Sequence, residues 1–173
     1  MYRFARTTLV SIAVYLGLVA GAADASSGRA TNGHFPIDEH FVVEPDSTIC
    51  GFPMTLDITG QATFNARFDA DGNLTTVHVH GRAVGTFSAN GIELRDFSSD
   101  NKFFDFQNLT MRETGLVFRD NLLGGKVVLM DRGRLIWNLD PATGETVGDP
   151  LFEAGPDPEL HGDIAALCAA LTP

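Results

Sequence analysis

The chain has 173 residues, 44% of them hydrophobic, with 12 Lys and Arg against 22 Asp and Glu and a formal net charge of −10. That length fits one domain of ordinary size, which buries about two-thirds of its unfolded surface on folding. So acidic a chain repels nucleic acid and anionic membranes, and neither is expected as a partner; the same charge keeps an exported protein in solution.

The first element is a leader. Arg3 and Arg6 precede an uncharged apolar run from Leu9 to Ala23, and Ala23-Asp24-Ala25 then sets small residues where a signal peptidase cuts. The pattern predicts a signal peptide over residues 1–25, cleaved between Ala25 and Ser26. A membrane span needs about 20 predominantly apolar residues, and this run, rich in Gly and Ala, falls short of that. Cleavage removes Arg3, Arg6 and Asp24, so the mature chain is one charge more negative. It has no second apolar stretch, and a secreted, extracellular protein with no membrane contact after cleavage is expected. Export to an oxidising compartment makes a bond between Cys50 and Cys168, its two cysteines, the default. Such a bond closes most of the mature chain into one loop, and chain entropy assigns about 4.7 kcal/mol to closing a 100-residue loop. No C-x-x-C spacing occurs, so a redox role is not expected.

Residues 26–39 are small, polar and glycine-bearing and read as a flexible mature N-terminus; residues 40–173 read as a single domain. Phe52, Met54, Leu56 and Ile58 alternate with polar or turn residues, the period of a half-buried strand. Gln61 to Phe68 and Leu74 to Ala83 alternate in the same way around Asp69-Ala70-Asp71-Gly72-Asn73. A tight turn at Asp71-Gly72 sets Phe64 against Val79 and Ala66 against Val77 on one face, with Asn65 against His78 and Thr63 against His80 on the other. Further runs cover Gly85 to Ser88, Ile92 to Phe97, Phe103 to Arg112, Leu116 to Asp120, Lys126 to Met130, Arg134 to Leu139 and Glu145 to Phe152. Asp131-Arg132-Gly133 and Asp140 to Gly144 read as hairpin loops, the first opposing Leu129 to Leu135 and Val127 to Trp137. A helix is predicted over 158–171, capped by Asp157, opened by Pro158 and apolar at Leu160, Ile164, Leu167 and Leu171. The expected fold is all-β: an antiparallel meander closed into a β-barrel, with a β-sandwich as the alternative, and one C-terminal α-helix.

Chemistry-bearing motifs are sparse. His78 and His80 share a strand face, a spacing usable by a metal pair, but their expected partners are Asn65 and Thr63 and no carboxylate opposes them; two exposed neutral imidazoles are expected. Asp69-x-Asp71-Gly72-Asn73 resembles the opening of a calcium loop, yet its glycine is misplaced and the closing glutamate is missing, so it reads as a plain turn. No esterase, zincin, phosphate-loop or dinucleotide motif occurs, and no catalytic residue, metal or cofactor is expected. Asp149, Glu153, Asp157, Glu159 and Asp163 flank the helix, where solvation accounts for them. Both tyrosines, Tyr2 and Tyr15, lie in the leader, so the mature aromatics are Phe and the single Trp137. Phe suits a core or an apolar pocket rather than a wet binding face. Phe64, Phe68, Val77, Val79, Phe104, Phe106, Phe118 and Trp137 are therefore the candidate pocket lining. Arg67, Arg95, Arg112 and Arg119 stand on strands, and any that pointed inward would mark a site. Asn73 and Asn108 head N-x-T sequons.

Cys50-Gly51-Phe52-Pro53 before the first long strand, Leu167-Cys168 in the last helix, and glycine-marked segments such as Gly133-Arg134-Leu135-Ile136 and Thr143-Gly144-Glu145 resemble a group of small secreted β-rich actinobacterial proteins without an assigned role. By architecture the chain also looks like lipocalin-type or allene-oxide-cyclase-type barrels, although Gly51-Phe52-Pro53 stands where lipocalins carry G-x-W. The resemblance implies a fold and no site residue. The function expected is that of a non-catalytic secreted protein binding a small apolar ligand or an extracellular partner. A structural protein with a filled barrel and an enzyme with dispersed residues are the alternatives. Oligomeric state is not set by the sequence.

Overall fold

The computed structural model describes residues 30–43, 50–122, 124–158, 161 and 164–173. The signal segment expected over residues 1–25 and the expected cut at Ala25–Ser26 lie outside the described residues. Seven strands follow in order: β1 (Ala30–Val43), β2 (Met54–Phe68), β3 (Leu74–Ala89), β4 (Ile92–Asp105), β5 (Thr110–Leu122), β6 (Val127–Leu139) and β7 (Thr146–Ala154), then a short helix, α1 (Ala165–Ala170). Each strand pairs antiparallel with the next, giving one sheet in the order β1 to β7. The all-β meander and its C-terminal helix are as expected. Closure into a barrel is not: β1 and β7 do not pair, and the sheet is open. Proline marks both edges, with Pro36 in β1 and Pro150 in β7, while β2 to β6 contain none. Proline cannot donate to a ladder, so it is tolerated where one side of a strand is unpaired.

The β2–β3 register matches the alternation, with Phe64 opposite Val79, Ala66 opposite Val77, Asn65 opposite His78 and Thr63 opposite His80. Its turn is longer than two residues. Asp69 N donates to Asn73 O (2.9 Å), and a bulge at Arg67/Phe68 absorbs the extra length and preserves the pairing. Asn90 and Gly91, both at positive φ (53° and 77°), form the tight β3–β4 turn, so Gly85 to Ser88 simply continues β3. Asp105 ends β4, its Oδ1 accepting from the backbone N–H groups of Gln107 (3.1 Å) and Asn108 (3.0 Å); the expected run from Phe103 to Arg112 is thereby split.

Three further expectations are corrected. Asp131-Arg132-Gly133 is not a turn but the middle of β6, so Leu129 pairs with Asp120 and Val127 with Asn121. Gly133 admits close approach of the neighbouring backbone instead: a Cβ there would lie 2.1 Å from Ala154 O. Residues 30–39, read as flexible, form most of β1. The helix begins after Ile164, with Pro158 in a turn before it; Glu159, Leu160 and Asp163 lie outside the described residues.

Inward-facing side chains form two apolar clusters. The first joins Ala62, Ala66, Val77, Val79, Phe104, Met111, Leu135, Trp137 and Leu139, with Phe35 of β1 packed against it. The second joins Met54, Phe87, Ala89, Leu94, Leu129, Leu167 and Leu171. A flat single sheet leaves both faces wet. Phe104 and Trp137, each 1% exposed, therefore require the sheet to bend over its own inner face, and burying such a side chain contributes about 1.5–3 kcal/mol. α1 covers the second cluster. Cys50 and Cys168 are bonded across 118 residues with Cα atoms 5.3 Å apart, and Asn90 Nδ2 donates to Leu171 O (2.9 Å), so α1 is tied down at its middle and at its C-terminal cap.

Candidate functional site

Between the two clusters the inner face turns acidic. The strand alternation that sends Leu94, Met111, Leu122 and Leu129 inward also sends their neighbours two residues away inward: Asp96, Glu113, Asp120 and Asp131, all buried. Asp157, after β7, is buried too. Glycines on β3 make the room: a Cβ at Gly85 would stand 3.2 Å from Asp96 Oδ2, and one at Gly81 3.2 Å from Asp100 Oδ1. Lys102 Nζ lies 3.4 Å from Glu113 Oε1 and 3.7 Å from Asp100 Oδ2, so one ammonium serves two carboxylates. Burial still holds the Asp100 pKa above the ordinary value, against the opposing pull of Lys102.

Asp96 and Asp120 form the most perturbed pair. They sit on β4 and β5 beside the irregularity between Arg95 and Ser99, 7% and 1% exposed. Burial raises Asp96 to about 6, opposed by backbone N–H groups of Arg119 and Phe97 that favour its charged form. Asp120 is raised to about 8, by burial first and by the charge of Asp96 second. The Asp120 oxygens have no other hydrogen-bond partner, so the proton that Asp120 retains is turned toward Asp96. Near neutral pH the pair holds one proton between them. Chemically this is a proton store, and its seclusion from solvent directs its effect to the fold.

A shallow cleft of about 10 Å³, room for little more than one water molecule and open to solvent, borders the other end of the acidic belt. It is lined by Glu113, Val117, Asp131, Leu135, Gly155 and Asp157 together with Arg132, Gly133, Arg134 and Ala154. None of the residues expected to line an apolar pocket borders it. Val77, Val79, Phe104 and Trp137 belong to the first cluster, with Phe64, Phe68 and Phe106 packed on it; the Phe104 and Phe106 rings stack 6.2 Å apart. Phe118 is separated from them, against the second cluster.

The other candidates resolve into local structure. His78 Nε2 donates to Asn101 Oδ1 (3.3 Å) and His80 Nδ1 to Asp100 O (3.1 Å), both on the exposed face. Among the described residues no three His, Cys, Asp or Glu side chains are placed to share a metal ion. Asp69 Oδ1 accepts from the N–H groups of Asp71 (2.9 Å) and Asn73 (2.8 Å), as a turn requires. The sequon amides are engaged in turns, Asn73 Nδ2 donating to Asp69 (3.1 Å) and Asn108 Nδ2 to Asp105 (2.8 Å). Arg67, Arg95, Arg112 and Arg119 are all exposed and face outward. Sequence reasoning missed the four buried strand acids, Asp96, Glu113, Asp120 and Asp131, whose signal was their phase: each stands two residues from an inward-facing apolar position on its own strand. Comparison with protein-family models, with curated proteins and with solved structures gave no match to this chain.

Proposed function

We propose that this is an exported, disulfide-tied, non-catalytic binding protein that engages an extracellular partner through its outer surface, its apolar interior being given over to packing. The observation that carries the reading is the burial of the pocket candidates: Phe104, Trp137 and Val77 are packed among their neighbours, and the open cleft borders none of the eight. The Cys50–Cys168 bond fits an oxidising compartment. Asp96 and Asp120, the pair best suited to acid–base chemistry, are too secluded for a substrate to reach, which favours binding over turnover.

Native mass spectrometry of protein purified from its own source tests this reading. The bare chain is expected, two hydrogens lighter for one disulfide. A co-purified apolar molecule that Phe104→Ala displaces overturns the outer-surface reading in favour of a small apolar ligand held inside.

A further inference from the structure

The strands sort their charges by face. Arg82, Arg95, Arg112, Arg119, Arg132 and Arg134 of β3 to β6 are all exposed, while Asp96, Glu113, Asp120 and Asp131 of the same strands are buried. In a chain with 22 acidic residues, none of these six arginines forms an ion pair among the described residues. The register gathers four of them. Arg82 and Arg132 fall in one row across β3 to β6, His80 and Arg134 in the next, and His78 and Arg112 in the third. No Asp or Glu occupies any of the twelve positions in these rows. Rows two residues apart are about 7 Å from each other and neighbouring strands about 4.8 Å, so the grid is a compact cationic field on an acidic protein.

Three of the guanidinium groups are held in place by rings. Arg112 lies 5.4 Å from the centroid of Phe103, Arg134 5.3 Å from that of Phe152 and Arg82 5.6 Å from that of Phe97. Stacking occupies the flat face of a guanidinium and leaves its in-plane N–H donors free, pre-set for a planar or tetrahedral oxyanion. Ser99, Asn101 and Thr114, set between the cations, offer donors and acceptors that suit sugar hydroxyls.

Building on the outer-surface reading, we infer that the outer face of β3 to β6 binds an acidic polysaccharide, its carboxylate or sulfate groups taken by Arg112, Arg134, Arg82 and Arg132. A narrow chain laid along the rows meets these arginines and no carboxylate. A bilayer or a duplex is broader and also meets Asp38, Asp57 and Glu93, exposed elsewhere on the strands. Single-stranded nucleic acid stacks its bases on open aromatic rings, but Trp137 is buried and the rings of Phe97, Phe103 and Phe152 are engaged by Arg82, Arg112 and Arg134.

Calorimetric titration of the intact, disulfide-bonded protein with polygalacturonate, dextran sulfate and neutral dextran decides the matter. Binding of the two acidic polymers, weakening as salt rises, and none of neutral dextran are expected. The double variant Arg112→Gln/Arg134→Gln loses about tenfold or more in affinity, and Arg112→Lys/Arg134→Lys, which keeps charge but not the bidentate fork, falls between it and the parent. Arg95→Gln/Arg119→Gln, outside the grid, stays within about twofold of the parent. Urea melts of every variant confirm the fold. The inference is overturned if neither acidic polymer binds, if the Arg112/Arg134 variants bind as the parent does, or if DNA and phosphatidylserine vesicles bind as well as the polysaccharides. Any of these leaves the outer-surface reading standing, since that reading falls only on a ligand found inside.

Discussion

Asn in place of Asp120 removes an ionisable group from the interior and almost no volume, and it should make the protein more stable above neutral pH. An unfolded aspartate releases its proton near the ordinary value of 3.8, whereas folded Asp120 keeps it to about 8 and folded Asp96 to about 6. Between those limits the folded state binds more protons than the unfolded one, so stability falls as pH rises, by about 1.4 kcal/mol per unit for each group. For Asp120 the accumulated loss by pH 8 is on the order of 5 kcal/mol. A buried amide without partners costs about 1–3 kcal/mol in its turn, leaving Asp120→Asn a net gain on the order of 2 kcal/mol at pH 8. For a chain of this size that is a rise in Tm of roughly 4–8 °C. Urea unfolding followed by the fluorescence of Trp137, the single tryptophan, measures it at pH values from about 5 to about 9. His161, raised in pKa by its hydrogen bond to Glu153, slopes in the same direction in both proteins, so the difference between the two curves reports Asp120 together with its coupling to Asp96. Parent stability that is flat or rising from about pH 5 to about pH 8, or an Asn variant less stable at the alkaline end, would refute the reasoning.

Other perturbations follow from the same geometry. Cys50→Ser/Cys168→Ser frees a loop spanning 118 residues and should lower stability by up to about 4.7 kcal/mol, seen as a drop in urea midpoint that reductant reproduces in the parent. Gly60→Ala would place a Cβ 2.3 Å from Arg82 O and 2.6 Å from Ala83 Cα, backbone atoms that cannot swing aside; a loss of about 1–3 kcal/mol is expected in thermal melts. Phe104→Ala, in the packed first cluster, should cost about 3–5 kcal/mol with the disulfide intact. Asp69 and Asp105 are held below the usual carboxylate range chiefly by the side chains of Asn73 and Asn108. Their support is present above the ordinary aspartate pKa and lost as pH falls through the lowered values. Asp105→Ala should therefore destabilise at neutral pH, by about 1 kcal/mol, and lose most of that effect in strong acid, as circular dichroism melts would show.

Strand phase was legible in the chain itself. The alternation of Ala62, Phe64 and Ala66 against Val77 and Val79 sets both the buried face and the β2–β3 register, because a slip of one residue would turn every apolar side chain outward. The count of two cysteines implied their bond in the same local way. Turn signals were less decisive. Asp140 to Gly144 does close β6 onto β7, with Gly144 N donating to Asp140 O (2.7 Å), but Asp131-Arg132-Gly133, just as turn-like in composition, lies mid-strand, paired with Phe118, Leu116 and Gly115 of β5.

What only the tertiary structure decided is whatever depends on neighbours remote along the chain. Alternation cannot say whether the first and last strands meet, and they do not, although Pro36 and Pro150 carried a trace of it. The phase of Asp96 and Asp120 pointed them inward, but their proton affinity comes from the depth at which the bent sheet buries them and from each other across β4 and β5. The net charge of −10 likewise hides a cationic face, because a sum over residues ignores which side of a sheet each one occupies. Spacing along one strand assigns a face; only pairing between strands assembles Arg82, Arg112, Arg132 and Arg134 into a surface.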